Sequence, residues 1–331
     1  MSRIFKTLKF LYGPIGRVIV GLPVLASIFI MGAGWGLLVM PGPHEAPRQI
    51  NIARGQSLAG ITRDLAAIGA VRSAVVFSFY TRLAGPVQAG EFYLPAGASM
   101  RDISRILRSG NVVMHAITVP EGLTSEQVVG LLMAETVLDG TPIIPEEGSL
   151  LPETYYVPRG MARDVLLTKM QAAQDKVLSE LWAGRQSGLP VKTSEEAVIL
   201  ASIVERETGQ DAERGPVAAV FINRLRKRMR LQSDPTIIYG IVGGKGGLGR
   251  PIRLSEINKP TPYNTYHIYG LPPTPIANPG RAALAAVLNP PQTSALYFVA
   301  DGSGGHVFSD TLTGHNKNVR KWRKLQKQRR Q

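Results

Sequence analysis

The stretch from Ile199 to Gly240, ILASIVERETGQDAERGPVAAVFINRLRKRMRLQSDPTIIYG, drives two carboxylates into an otherwise apolar helix. Ser194 is suited to an N-cap and Glu195 and Glu196 to a first turn. Ala197 to Val204 is apolar except for Ser202, and Gly209 is the expected stop. A run with so little polarity belongs inside a domain. Glu205 then lies one turn beyond Ala201 and Ser202, beneath small side chains that leave room for a ligand, whereas Glu207 lies beneath Ile203 and Val204. A buried carboxylate responds with a raised pKa, which is what an acid catalyst of glycoside chemistry requires. Pattern alone leaves a second reading open, in which both are ordinary acids at a helix end paired with Arg206, Arg214 or Arg224.

The 331 residues allow two or three domains, and 35 Gly with 24 Pro predict many turns. The absence of cysteine excludes disulfides, thiolate catalysis and cysteine zinc sites. His44, His115, His267, His306 and His315 have no paired metal spacing, so neither a catalytic metal nor a cofactor is expected. The run Gly244-Lys-Gly246-Gly-Leu-Gly249 satisfies the dinucleotide pattern. Arg250-Pro251 follows it where a helix should open, however, and a flexible loop is the better reading. Ser303 lies in a hairpin turn rather than a nucleophile elbow, which argues against a serine hydrolase.

Val18 to Met40 is a charge-free run of 23 residues, about 34 Å long as a helix. It is read as a membrane anchor. Arg3, Lys6, Lys9 and Arg17 precede it with no acid, so the N-terminus is expected in the cytoplasm and everything after Pro41 outside. A signal peptide is the rival reading, but the run exceeds an ordinary signal core and PGPHEAPR offers no small-residue cleavage site. The net charge of +14 invites a nucleic-acid partner, which this topology opposes. Lipid headgroups and acidic cell-wall stems are the expected polyanions. The tail from Lys317 to Gln331 has eight basic residues and no acid, and is read as a solvated or frayed helix end.

Downstream of the anchor a weak repeat recurs. Gly55-Gln-Ser57, Gly97-Ala-Ser99 and Gly122-Leu-Thr124 each place a turn and a cap before a helical pattern. The first two copies resemble LysM modules, which are short β-α-α-β units that bind N-acetylated glycans. Strands are expected at Gln49–Ile52, Glu91–Leu94 and Val112–Val119. Further on, helices are expected around Ala162–Trp182, Ser194–Gly209, Gly215–Lys227 and Arg281–Leu288, and a hairpin from Leu296–Ala300 and His306–Ser309. The fold class is therefore mixed α+β. The segment Pro260–Pro279, with six prolines, reads as a long binding loop.

ASIVERET, VFINRL, MRLQSDPTIIYG, TPYNTY, GLPPTPIANPG and YFVADGSGGHVFSDT followed by HN run in order through most of Glu147–Asn316. Together they resemble the motif series of the MltG (YceG-like) endolytic murein transglycosylases. The resemblance implies a membrane-anchored enzyme that cuts nascent peptidoglycan strands without water and leaves 1,6-anhydro-muramyl ends. It assigns the catalytic acid to Glu205 and a structural place to Glu207. Most glycosidases need two carboxylates. A lytic transglycosylase manages with one, because the sugar's own N-acetyl oxygen and 6-hydroxyl act as nucleophiles. Groups that hold the ring then matter, and Asn223, Gln232, Asp234, Tyr263 and Asn264 are the substrate-binding candidates, with Tyr239 and Tyr266 in the same run. Turn capping and packing are the competing readings for each.

The expected organisation is a cytoplasmic segment at 1–17, a transmembrane helix at 18–40, a linker at 41–48, a LysM-like module at 49–119 and a YceG-like catalytic domain at 120–331. The expected partners are peptidoglycan strands, the inner membrane through one helix, and peptidoglycan synthases, with no nucleic acid. A noncatalytic peptidoglycan-binding scaffold is the alternative from another class. A water-using muramidase is the alternative among enzymes, with Asp234 or Glu153 as its second carboxylate.

Overall fold

Ala197, Val198, Leu200, Ala201, Ile203 and Val204 are all buried, at the centre of the largest apolar cluster. The computed structural model describes residues 14–329, which divide into one unit ending at His115 and another beginning at Ala116. Each unit has its own core, and the whole is mixed α+β, with every sheet among the described residues two-stranded.

The first unit begins with α1 (Pro14–Val39). Its segment Leu22–Val39 is long and apolar enough to cross a membrane, and only 6% of it is buried. The expected segment 1–17 lies largely outside the described residues. The helix runs through Pro23, whose carbonyl accepts from Ser27 Oγ at 2.8 Å, so that hydroxyl is satisfied within the helix. There follow β1 (Arg48–Ile52), α2 (Leu58–Ala67), α3 (Ala74–Ala84), β2 (Gly90–Leu94) and α4 (Met100–Ser109). The two strands pair antiparallel, with Ile50 opposite Phe92. Ser57, Ser73 and Ser99 each accept from the backbone N–H three residues on, which fixes the starts of α2, α3 and α4. Only one β-α-α-β unit results. The Gly97–Ser99 copy follows β2 directly and has no opening strand of its own. Its helix instead completes the same core with Met100, Ile103 and Leu107.

β3 (Met114–Thr118) carries the chain into the second unit. Next come α5 (Ser125–Ala134), β4 (Leu138–Asp139), β5 (Thr154–Pro158), β6 (Met161–Ala162) and α6 (Arg163–Ala183). β3 pairs with β5, and β4 runs parallel to β6. These elements close around Val128, Leu132, Val157, Leu166 and Met170. The buried Arg163 ties the end of α5 in place by donating to the carbonyls of Leu132, Glu135 and Gly140.

The second core of this unit is helical. It contains α7 (Ser194–Glu207), α8 (Asp211–Arg226), α9 (Asp234–Val242), the single turn α10 (Leu254–Ile257) and α11 (Arg281–Leu288). The hairpin β7 (Tyr297–Ala300) and β8 (His306–Ser309) and the helix α12 (Leu312–Arg329) complete it. Thr193 rather than Ser194 caps α7, accepting from the Glu196 N–H at 3.2 Å, and Thr208 closes it one residue before Gly209. α8 starts at Asp211, ahead of the Gly215 expected from sequence. Asp211 and Glu213 favour its first turn, Asp211 binds Arg214 one turn on, and Pro216 is accommodated near the N-terminal end. The tail helix packs on the hairpin, with the rings of Tyr297 and His315 stacked at 5.2 Å and Asn318 Nδ2 donating to Ser309 Oγ at 3.0 Å.

Candidate active site

Glu205 ends the buried face of α7, and its side chain is 3% exposed. Oε2 accepts from the Gly280 N–H at 2.9 Å and Oε1 from Arg214 Nη2 at 3.3 Å. Burial raises the pKa of this carboxyl, the Gly280 N–H opposes that, the negative charge of Glu121 adds to it, and Arg214 lowers it again. Thus burial among apolar neighbours raises the pKa, and three further groups, the Gly280 N–H, Glu121 and Arg214, set the balance. The room expected beneath Ala201 and Ser202 is filled, since Ser202 Oγ accepts from the Ile276 N–H at 3.0 Å and draws in the loop before α11.

Arg214 is the hub of this site. Nη2 reaches Glu121 Oε2 at 3.1 Å as well as Glu205, and Nη1 reaches Asp211 Oδ1 at 2.6 Å. Its Nε is buried with no protein partner. Arg214, Glu121, Asp211 and Asn289 line an open cleft of about 730 Å³ floored by Ala282, Ala285 and Ala286 of α11. Small side chains on that helix face are what leave the cleft open.

Glu121 is the residue of this candidate site that sequence reasoning missed. Three bonds hold its turn in place. Arg206 Nη1 donates to the Gly122 carbonyl at 3.1 Å, the Gly122 N–H to the Asn278 carbonyl at 3.1 Å, and the Asn278 N–H to the Leu123 carbonyl at 2.8 Å. Asn278 is fully buried, and its amide also reaches Leu150 N and Ser125 Oγ. The ANPG and PEGLT segments therefore form one scaffold that delivers Glu121 and Gly280 to Glu205. The only signal in the sequence was the Gly122-Leu-Thr124 turn, read there as a repeat.

Glu207 projects from α7 about 200° around from Glu205 and enters a different cluster. It accepts from Ser233 Oγ at 2.5 Å, and its carboxyl is pushed up to about 7, above all by burial and further by Asp234, against the pull of that hydrogen bond, His306 and Arg224. His306 is in turn held by Glu213, through both its backbone N–H and its ring, at 2.6 Å each.

The five substrate-binding candidates separate by environment. Gln232 and Asp234 are exposed and flank Ser233, so they gather with Glu207 rather than with Glu205. Gln232 adopts φ +51°, a left-handed conformation, and its N–H donates to the Thr265 carbonyl at 3.1 Å. Asp234 Oδ1 accepts from Tyr266 Oη at 2.8 Å. Tyr263 is half-buried, shares a 2.7 Å hydrogen bond with Thr274 and packs on Tyr239 with ring centroids 5.1 Å apart. Asn264 is fully buried, and its amide donates to the carbonyls of Glu256, Ile257 and Lys259, which closes the turn after α10. Asn223 likewise donates to the carbonyls of Thr293 and Ala295 and fixes the approach to β7. The Nδ2 of each asparagine is thus engaged by backbone carbonyls. Among the described residues, no group of three or more His, Asp and Glu is arranged to hold a metal ion.

The model of the YceG-like family matches residues 50–321. The endolytic murein transglycosylase of Bacillus subtilis is 30% identical over 309 residues, covering 82% of this chain and 84% of that protein. A protein of the same name from Streptococcus pneumoniae is 29% identical over 321 residues, and the chain spans 57% of its length. The crystal structure of a YceG-like protein from Listeria monocytogenes superposes with a TM-score of 0.51 at 28% identity, covering 82% of this chain and 98% of that one. With a family match that reaches from β1 into α12 and takes in Glu121, Glu205, Arg214 and Gly280, the chain belongs to the YceG-like family.

Proposed function

We propose that the chain is an endolytic peptidoglycan lytic transglycosylase, cleaving the MurNAc–GlcNAc bond of nascent strands to leave 1,6-anhydroMurNAc ends. Glu205 is its single acid and base. The observation that carries this reading is the opposed environment of that carboxyl: burial and Glu121 favour its protonated form, while the Gly280 N–H and Arg214 favour the ionised one. A group balanced in this way can give a proton and take one back. The protonated Glu205 passes its proton to the glycosidic oxygen as the C1–O bond breaks and the electron pair leaves with that oxygen. The N-acetyl oxygen covers C1, the C6 hydroxyl then bonds to C1, and its proton returns to Glu205. No water is consumed. The cleft lined by Arg214, which is bonded to Glu205, and by Glu121 is read as the approach of the strand toward the acid. Gln232, Asp234 and Tyr263 are read as more distant sugar contacts, and Asn223 and Asn264 as supports for the loops that carry them.

α1 is read as a single-pass anchor in the inner membrane, with Arg3, Lys6, Lys9 and Arg17 keeping the N-terminus in the cytoplasm and the catalytic domain outside. The order β1-α2-α3-β2 supports a LysM-like, glycan-binding reading of the first unit. Chain termination during synthesis, beside peptidoglycan synthases, follows as the biological role. Mass spectrometry of strands treated with the full chain in detergent is the test. Anhydro ends are expected. Reducing ends would make it a hydrolase, and uncut strands a noncatalytic scaffold.

A further inference from the structure

α3 turns Phe77 and Thr81 into the core of the first unit and leaves Val75, Phe79 and Leu83 79%, 67% and 73% exposed. These three recur every fourth residue and so form one stripe along the helix. A large apolar stripe left in water marks a contact surface.

The neighbours of the stripe identify what covers it. Arg72, just ahead of the Ser73 cap, donates Nε to the Pro41 carbonyl at 3.1 Å, which fixes the start of α3 two residues past the end of α1. Val39, the last residue of α1, and Tyr80 of α3 line one pocket of about 460 Å³ together with Arg101 and Arg105 of α4. The Arg101 guanidinium stands 5.6 Å over the ring of Trp35, one turn before the end of α1. Tryptophan near the end of an apolar spanning helix marks headgroup depth. α3 and the arginines of α4 therefore stand at that depth too. The exposed cations here are Arg72, Arg82, Arg101 and Arg105, and the acid in the pocket, Asp102, is already engaged by Arg105 at 2.8 Å and by Ser99. An apolar stripe flanked by arginines is complementary to a bilayer surface that bears phosphates.

We propose that α3 lies in the outer surface of the bilayer, with Val75, Phe79 and Leu83 among the acyl chains and Arg72, Arg101 and Arg105 on the phosphates of anionic phospholipids. The proposal rests on the reading of α1 as a membrane anchor. Insertion of α3 holds the first unit against the membrane by a second contact, independent of the spanning helix.

The chain has no cysteine, so single ones can be placed and labelled. Phe29→Cys in α1, Phe79→Cys in α3 and Ala67→Cys in α2 all lie at exposed positions. Each full-length variant carries an environment-sensitive dye in vesicles of phosphatidylglycerol and phosphatidylethanolamine, with quencher lipids labelled near the headgroup or deep in the acyl chain. The dye at 29 is expected to lose fluorescence mainly to the deep quencher and the dye at 79 mainly to the shallow one, with the dye at 67 unaffected. A dye at 79 that behaves like the one at 67, while 29 is quenched, overturns the proposal and leaves the anchor standing. If 29 is not quenched, the anchor reading fails and the proposal with it. Adding Arg101→Glu and Arg105→Glu to the Phe79→Cys variant is expected to reduce its shallow quenching, and unchanged quenching overturns the phosphate contact.

Discussion

Glu121 lies across Gly280 so closely that a Cβ there would meet the end of its side chain, with Cγ at 2.8 Å and the carboxyl atoms nearer still. The same Gly280 gives its N–H to Glu205 at 2.9 Å. One glycine thus lets two carboxylates share a site, with Arg214 between them.

Gly280→Ala follows directly. The backbone there is at φ −75°, which alanine adopts freely, so the effect is steric and falls first on Glu121. That side chain is 40% exposed and can swing into the cleft, so the fold should survive. Once Glu121 moves away, Glu205 loses a like charge and its pKa falls. Cleavage needs the protonated form, so the alkaline limb of the pH–rate profile should move to lower pH. Rates of anhydro-end release across pH check this, and an unmoved limb would mean that Glu121 does not act on Glu205.

Arg214→Gln should move the same limb the other way. Arg214 lowers the Glu205 pKa, so its loss leaves the acid protonated to higher pH. It also leaves Glu205 buried beside Glu121 with no cation, and breaking a buried ion network costs roughly 3 kcal/mol. Thermal unfolding should show that loss, and Arg214→Lys should recover part of it while bridging the two acids poorly. Opposite displacements in Gly280→Ala and Arg214→Gln would establish the bridge; displacements of the same sign would contradict it.

How far the sequence reaches is clear from particular residues. α7 and α11 and the β7–β8 hairpin follow from apolar period and turn chemistry, which are local properties. The start of α8 at Asp211 was missed because Gly215-Pro216 reads as a break, while the Asp211–Arg214 pair that favours an earlier start is a side-chain contact. Glu121 was missed because 84 positions separate it from Glu205, and only the fold of the ANPG loop brings them together. That the Nδ2 groups of Asn223 and Asn264 are engaged by backbone carbonyls is not legible in the sequence, because an amide in a motif gives no sign of its partners.

Glu207 makes a prediction about stability. Its carboxyl is pushed from an ordinary 4.5 up to about 7, so the folded state holds this proton more tightly than the unfolded one. The associated stability is fully present below 4.5 and is lost as pH rises through about 7, amounting to up to roughly 3 kcal/mol. Glu207→Gln keeps an acceptor for Ser233 and removes the proton linkage. Its unfolding temperature should decline less across that window than that of the wild type, because Glu205 and Glu147, also raised by burial, keep their own linkage. Parallel curves for the two proteins would assign the linkage to another group.

The decisive comparison sets Glu205→Gln, Glu121→Gln and Glu207→Gln side by side on long glycan strands. Glutamine at 205 preserves the acceptor for the Gly280 N–H but cannot protonate the leaving oxygen, and general acid catalysis is worth roughly 100- to 10,000-fold. That variant should bind strands like the wild type and release almost no anhydro ends. Glu121→Gln removes the like charge and the ion pair with Arg214 and should keep cleaving, with its alkaline limb moved to lower pH as in Gly280→Ala. Glu207→Gln should cleave at a rate close to the wild type, because its carboxyl faces Ser233 on the other side of α7. Strand binding measured in parallel separates lost chemistry from lost affinity. A folded Glu207→Gln that binds but does not cut, beside an active Glu205→Gln, would move the acid to the Ser233 cluster, where the exposed Gln232 and Asp234 already stand.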